Sequence, residues 1–187
     1  EIMPSLVGSE MCIRDRNLHM KRKSNHFTQL LFFVYLLLLI WIILFKLQFS
    51  MEALDRGRAL NLIPFHYGKG IGGAYHFKEM LDNVLIFMPM GIYLQMLLPK
   101  SKFYTKVLVI AGTSLCLEIA QYVLAVGRTD ITDLITNTAG GFLGLALYGI
   151  VNRLLKDRAK TDKLFFVIAV VVSVLFVGLL AVLLLAN

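Results

Sequence analysis

Five apolar runs constrain the fold of this chain more than any other feature of its sequence. They cover residues 27–45, 83–98, 107–126, 131–151 and 164–186. At 1.5 Å per residue, a helix of about 20 residues crosses a hydrocarbon layer of about 30 Å, and most of the runs approach that length. The chain is 58% hydrophobic, which exceeds the usual content of soluble domains. The sequence therefore predicts an all-α membrane protein with about five transmembrane helices.

The order of these runs divides the chain into four parts. Residues 1–19 have no periodicity and look like a non-native or disordered tail, and residues 20–52 read as an uncleaved N-terminal transmembrane helix. Residues 53–152 combine a long polar loop, predicted to extend to residue 82, with three further spans. Residues 153–187 form a basic linker and a C-terminal span. Pro89 and Gly91 interrupt the short second run, and such a break either shapes a cavity or is simply tolerated.

The distribution of basic residues predicts how the chain is oriented in the membrane. Eleven Lys and Arg residues lie in the 20–26, 99–106 and 153–163 segments, against six in the alternate connections. The positive-inside rule then places the amino terminus in the cytoplasm and the carboxyl terminus outside. The net charge of +7 does not indicate nucleic-acid binding, because the basic residues flank apolar runs. The predicted location is the cytoplasmic (inner) membrane of a bacterium.

Polar side chains inside the third and fourth runs are the candidate functional residues. Glu118 and Gln121 share one helical face, while Asp133 and Asn137 are four residues apart on the next helix. A short turn makes these two helices neighbours, so we expect Asn137 to reach the depth of Glu118 and Gln121, with Asp133 nearer the surface. Asp130 is a predicted N-cap, with Asp133 as its capping-box partner. A charge at bilayer depth costs roughly 2.5–3.5 kcal/mol on insertion scales, which favours a shared polar hollow.

Gly140 and Gly144 follow on the fourth run, at the spacing that permits a close helix crossing. The crossing partner is either another helix of this chain or a second copy of it.

A purely structural role is the alternative for the polar cluster. In that interpretation, Arg128 pairs with Asp130 or Asp133, and Gln121 and Asn137 tie their two helices together. Several functional roles are compatible with the same residues. Glu118 suits a proton carrier or general acid, and Arg58 and Arg128 suit a phosphate or carboxylate clamp. Asp130, Asp133 and Asn137 offer oxygen ligands for Mg²⁺. No nucleophile–base set indicates covalent catalysis.

Four motifs in order resemble the VanZ-like family, which is named for a teicoplanin-resistance protein. They are Arg58-x-x-Asn61-Leu62-x-Pro64-Phe65, Asn83-x-x-x-Phe87-x-Pro89-x-Gly91, Glu118-x-x-Gln121 and Arg128-x-Asp130-x-x-Asp133-x-x-x-Asn137-x-x-Gly140. The resemblance implies that residues 53–152 form a VanZ-like domain. It also implies an envelope protein, linked in some members to glycopeptide antibiotic tolerance, without a settled reaction or cofactor.

The resulting hypothesis is an outward-facing polar pocket that binds or modifies a cell-envelope molecule. Its predicted partner is a membrane lipid or an envelope precursor, and no cofactor or metal is assigned. Glu118 and Asp133 are the best catalytic candidates. The predicted binding residues are Arg58, Asn61, Asn83, Gln121, Arg128, Asp130 and Asn137. The alternatives are a metal-dependent enzyme acting on a lipid-linked substrate and a small proton-coupled transporter, whose coupling site would be Glu118.

Overall fold

A computed structural model describes residues 26–44, 59–65, 73–125 and 128–186 of the 187-residue chain. Its five helices are α1 His26–Leu44, α2 Gly73–Leu97, α3 Phe103–Leu124, α4 Ile131–Leu155 and α5 Arg158–Ala186. Two short strands, β1 Ala59–Asn61 and β2 Arg128–Asp130, precede α2 and α4 respectively. Each helix is long and apolar enough to cross a membrane, which confirms the predicted fold class. The proposed tail, residues 1–19, lies outside the described residues.

The helices extend further than their apolar runs. α2 begins at Gly73, so residues 73–82 are helical rather than part of a loop. This segment contains Glu, Lys, Met and Leu, which are good helix formers and carry the helix beyond the apolar run. The predicted linker 153–163 is also mostly helical, because only residues 156 and 157 separate α4 from α5. Asp157 Oδ1 accepts a hydrogen bond from the Ala159 N–H (2.8 Å) at the start of α5.

Pro89 does not break α2, which continues from Gly73 to Leu97. A proline removes one helical N–H and weakens the hydrogen bonding of carbonyls in the preceding turn. The Tyr35 hydroxyl of α1 donates to the Ile86 carbonyl in that turn, at 2.9 Å. A neighbouring helix thus supplies a donor at the interruption, which is how membrane proteins accommodate such residues.

The glycines of α2 and α4 let these two helices approach each other closely. A Cβ added to Gly91 would lie 2.7 Å from the Leu145 nitrogen, and one added to Gly140 would lie 2.8 Å from the Val84 Cα. At Gly144 it would lie 2.9 Å from a backbone carbon of α2. The small-residue face predicted at residues 140 and 144 therefore packs within the chain, against α2.

The hydrophobic core lies where α1 to α4 meet, and it is centred on the fully buried Phe87 and Ile110. On one side of this core, β1 and β2 pair in parallel, with Asn61 opposite Asp130. The sequence had assigned residues 59–61 to a structureless loop. The strand pair fixes this segment beside the turn that leads into α4.

A separate polar cluster lies at the end of the helices that is away from the β1–β2 pair. Lys106, only 3% exposed, donates to Gln95 Oε1, and Arg158 donates to the Gln95 carbonyl (3.0 Å). The Tyr148 hydroxyl donates to Asp162 (2.6 Å), and Arg158 also pairs with Asp162 at 3.5 Å. In the sequence, the positions of Lys106 and Arg158 had indicated only how the chain is oriented in the membrane. They also join α2 to α3 and α5 at this end, and the Tyr148–Asp162 hydrogen bond adds α4.

Candidate functional site

The turn between α3 and α4 is fixed by two carboxylates. Asp130 caps α4, because its Oδ1 accepts from the Thr132 N–H at 2.8 Å. The Asp130 N–H donates to Glu118 Oε2 at 3.2 Å, and the Thr129 hydroxyl donates to the Glu118 carbonyl at 3.2 Å. The predicted N-cap is confirmed, but Glu118 of α3 takes the position predicted for Asp133 in the capping box. This places Glu118 against the start of α4.

The same turn holds the segment that contains β1. Asn61 Nδ2 donates to Asp130 Oδ2 at 3.0 Å, so both carboxylate oxygens of Asp130 accept hydrogen bonds. A few residues later, the Phe65 N–H donates to Thr132 Oγ1 at 3.1 Å. Asn61 and Asp130 therefore join the first and last of the four motifs.

Asn83 connects α2 to the same end of α4. Its Nδ2 donates to Asp133 Oδ1 at 2.8 Å and lies 3.5 Å from Thr136 Oγ1. The motif that begins at residue 128 consequently contacts each of the other three, through Asn61, Asn83 and Glu118. The four sequence motifs converge at one end of the helix bundle.

Gln121 and Asn137 are buried amides that use their donors on different partners. Gln121 Nε2 donates to the Ile43 carbonyl at 2.9 Å, and Asn137 Nδ2 donates to Ser114 Oγ at 3.0 Å. The structural alternative expected these two amides to tie α3 to α4. Asn137 makes that tie through Ser114, whereas Gln121 ties α3 to α1. Within the described part of the chain, Gln121 Oε1 and Asn137 Oδ1 are buried acceptors without a hydrogen-bond donor.

A cavity of about 540 Å³ lies at this end of the bundle, within the roughly 300–1,000 Å³ typical of small-molecule sites. Five predicted site residues line it, namely Asn83, Glu118, Gln121, Asp133 and Asn137. The structure thus brings together the polar groups that the sequence had placed on three separate helices. Asn61 and Asp130 are not among the lining residues and instead brace the turn beside the cavity. Arg58 and the side chain of Arg128 lie outside the described residues.

Three further charged residues of α2 line the cavity and were missed by the sequence analysis. They are Lys78, Glu79 and Asp82, which had been assigned to the loop. The signal was available, because Glu79, Asn83 and Ile86 follow the i, i+4, i+7 spacing of one helical face. His76 also lies in this part of α2 rather than in a loop: it is 8% exposed, and its Nδ1 lies 3.7 Å from Glu79 Oε2.

The arrangement of carboxylates bears on the metal hypothesis. In the described ranges, no three His, Cys, Asp or Glu side chains are placed to hold a metal ion. Asp130, one of the suggested Mg²⁺ ligands, uses both oxygens as hydrogen-bond acceptors within the protein. To a ligand, the cavity offers hydrogen-bond acceptors from the Gln121 and Asn137 oxygens and from the carboxylates beside them, and Lys78 offers a donor.

Comparison with known proteins agrees with the family resemblance. The family model described as VanZ/LLP1 matches residues 32–152. Protein VanZ of Enterococcus faecium is 41% identical over 144 residues, which cover 76% of this chain and 85% of that protein. No solved structure matches. The matched region starts within α1, upstream of the predicted boundary at residue 53, and α1 provides the carbonyl that holds Gln121. The chain therefore belongs to the VanZ/LLP1 family of membrane proteins.

Proposed function

We propose that this protein binds or modifies a cell-envelope molecule with a charged headgroup, and that the headgroup enters the polar cavity. The observation that carries the proposal is the convergence of Asn83, Glu118, Gln121, Asp133 and Asn137 around one cavity. Hydrogen bonds between membrane helices contribute only about 0.6 kcal/mol each on average. Two buried amides with unused acceptor oxygens and two carboxylates exceed what helix association needs, which supports a ligand.

The residues have distinct roles in this proposal. Gln121 and Asn137 accept hydrogen bonds from the ligand, and Asn83 holds Asp133 in position. Glu118 and Asp133 are the groups that would exchange a proton with a bound molecule if a reaction occurs. Arg58 and Arg128 are assigned to an anionic part of the headgroup, a role that rests on their place in the family motifs.

The cavity is proposed to open on the outer side of a bacterial cytoplasmic membrane, where envelope precursors are found. A contribution to glycopeptide antibiotic tolerance follows from the family resemblance and belongs to the same proposal. The metal-dependent enzyme has less support, since no three of the described His, Cys, Asp or Glu side chains are placed to hold a metal ion. For the proton-coupled transporter, the activity of the protein would have to depend on a proton gradient.

Glu118→Gln is expected to reduce glycopeptide tolerance in cells that express the protein to the level of cells without it. The substitution retains an oxygen that accepts from the Asp130 N–H, so the turn remains intact, whereas the ionisable group is lost. Tolerance is measured as the minimum inhibitory concentration, together with the amount of folded protein in the membrane. Arg128→Ala is expected to have the same effect.

Two outcomes would contradict this assignment. Full tolerance with Glu118→Gln would show that the carboxyl group is not needed. Disappearance of the folded protein in both variants would favour the purely structural interpretation of the polar cluster.

The proposed sidedness predicts opposite labelling at the two ends of the bundle. In a variant that lacks the native cysteines, Ile63→Cys is expected to react with a membrane-impermeant maleimide in intact cells. Lys160→Cys is expected to react only after the membrane is opened. Both positions are well exposed, at 60% for Ile63 and 73% for the Lys160 side chain, so access to the reagent decides the result. The reverse pattern would place the cavity on the cytoplasmic side.

A further inference from the structure

The polar cavity continues into an apolar groove. This groove, of about 290 Å³, is formed by α1, α2 and α5. Its wall is almost entirely aliphatic and aromatic and includes Pro89. Four residues, Ile42, Leu85, Ile86 and Phe176, line both spaces, so the two are adjacent along one boundary. Together they have the shape and polarity of a site for an amphiphile, with a polar head at one end and a hydrocarbon chain at the other.

The groove is accessible from the hydrocarbon side of the protein. Leu85 and Val172 lie on its wall within spanning helices, and they remain 52% and 57% exposed. A lipid chain can therefore enter the groove sideways from the bilayer without leaving an apolar environment. Because the groove is continuous with the polar cavity, a lipid fits it better than a second apolar helix does. An apolar helix face would leave the polar cavity without a partner.

The polar end requires a hydrogen-bond donor. The Ile43 carbonyl can only accept, so the Gln121 arm that faces it must be the NH₂ group, which leaves Oε1 as an acceptor. This oxygen and Asn137 Oδ1 belong to side chains that are only 3% and 1% exposed, and neither oxygen has a donor among the described residues. Buried acceptors are almost always paired in folded proteins, so a donor from a ligand is the expected complement.

The charge of the lining makes that donor a cation. Among the described lining residues, four carboxylates, those of Glu79, Asp82, Glu118 and Asp133, face one ammonium, that of Lys78. A primary ammonium carries three N–H donors and no acceptor, so it matches amide oxygens and carboxylates at once. Among the described lining residues, a phosphate or carboxylate in the same place would meet four carboxylates and only the Lys78 ammonium as a compensating charge.

We infer that the cavity and the groove together bind one membrane lipid with a primary-ammonium headgroup. The ammonium lies against Gln121, Asn137 and the neighbouring carboxylates, and a hydrocarbon chain occupies the groove. This inference rests on the proposed function and names the class of ligand for that site.

Lipid selectivity tests the headgroup. The full chain is purified in detergent and titrated with phosphatidylethanolamine, phosphatidylcholine and phosphatidylglycerol of identical chains, with bound lipid counted by native mass spectrometry. Phosphatidylcholine has the same charges as phosphatidylethanolamine but no N–H. The lost charge-assisted hydrogen bonds are expected to weaken its binding at least about tenfold. Equal retention of the three lipids would overturn the inference.

Substitutions on α5 test the groove, with one position outside the groove as a control. Ala169→Phe fills the groove and is expected to weaken phosphatidylethanolamine binding about tenfold, the order of effect expected for displacing a few methylene groups. Val171→Phe adds the same side chain at a half-exposed position that does not line the groove, and it is expected to leave binding unchanged. If Ala169→Phe does not yield folded protein, Ser173→Leu introduces a smaller side chain on the same wall.

A competition with free ethanolamine separates the lipid from a soluble amine. Displacement of the lipid by free ethanolamine at equal concentration, or binding that neither Ala169→Phe nor Ser173→Leu weakens, would overturn the lipid assignment. These readouts are independent of antibiotic tolerance. Loss of tolerance in Glu118→Gln without lipid selectivity would therefore leave the proposed function standing and remove only this inference.

Discussion

Gly144→Ala is expected to destabilise the protein by about 3 kcal/mol, the upper end of the range for overpacked cores. The added Cβ would lie 2.9 Å from the Met88 carbonyl carbon and closer still to its oxygen. These are backbone atoms of a neighbouring helix, so no side-chain rotation relieves the contact and α2 must move away from α4. The expected result is a much lower midpoint of thermal unfolding in detergent and less folded protein in the membrane.

Gly149→Ala is the matched control on the same helix. A Cβ there would have nothing within 4 Å, so the substitution changes only backbone freedom. Because glycine inside a helix is less favourable than alanine by roughly 0.5–1 kcal/mol, this variant is expected to be neutral or slightly more stable. Equal melting of the two variants would mean that α2 and α4 do not approach each other at residue 144.

The close helix crossing also explains how the cavity is built. Since Gly140 and Gly144 bring the α2 backbone against α4, Asn83 lies within reach of Asp133 near the first turns of α4. A wider crossing would separate these two side chains and open the cavity wall. The glycine spacing of α4 and the polar motif that precedes it therefore both determine how the cavity wall is formed between Asn83 and Asp133.

Much of this arrangement could be predicted from the sequence, because few backbone structures can cross a hydrocarbon layer. Apolar length identified five helices, and the three-residue and four-residue spacings placed Glu118 beside Gln121 and Asp133 beside Asn137. A short turn between spans made α3 and α4 neighbours. Asp130 was recognised as a cap because an Asp directly before an apolar helix has few other uses.

What the sequence did not reveal depends on contacts between distant segments. The pairing of β1 with β2 joins residues that are about 70 positions apart, and three-residue strands have no periodicity to detect. Lys78, Glu79 and Asp82 were missed because polarity was taken to indicate a loop, whereas a helix that protrudes from the bilayer is polar as well. The partners of Gln121 and Asn137 follow from the packing of α1 and α3, which spacing alone does not fix.

Asn61 and Asp130 provide a test of whether the brace beside the cavity is structural, because their side chains can be exchanged. Asn61→Asp alone places two carboxylates against each other. Asp130→Asn alone places two amide NH₂ groups against each other, in place of the 3.0 Å hydrogen bond. Each single variant is expected to lose about 1–3 kcal/mol of local stability. In the double variant the donor and acceptor are reversed, the charge is conserved, and the asparagine introduced at position 130 still caps α4.

The expected result is that the double variant recovers most of the stability that each single variant loses. Hydrogen–deuterium exchange at β1 and the first turn of α4 measures this coupling as a double-mutant cycle. Simple addition of the two single losses would show that the side chains do not interact. Antibiotic tolerance then separates the two roles of Asp130. Tolerance that returns with stability assigns the residue to bracing the cavity, whereas stability without tolerance assigns its carboxylate to the ligand.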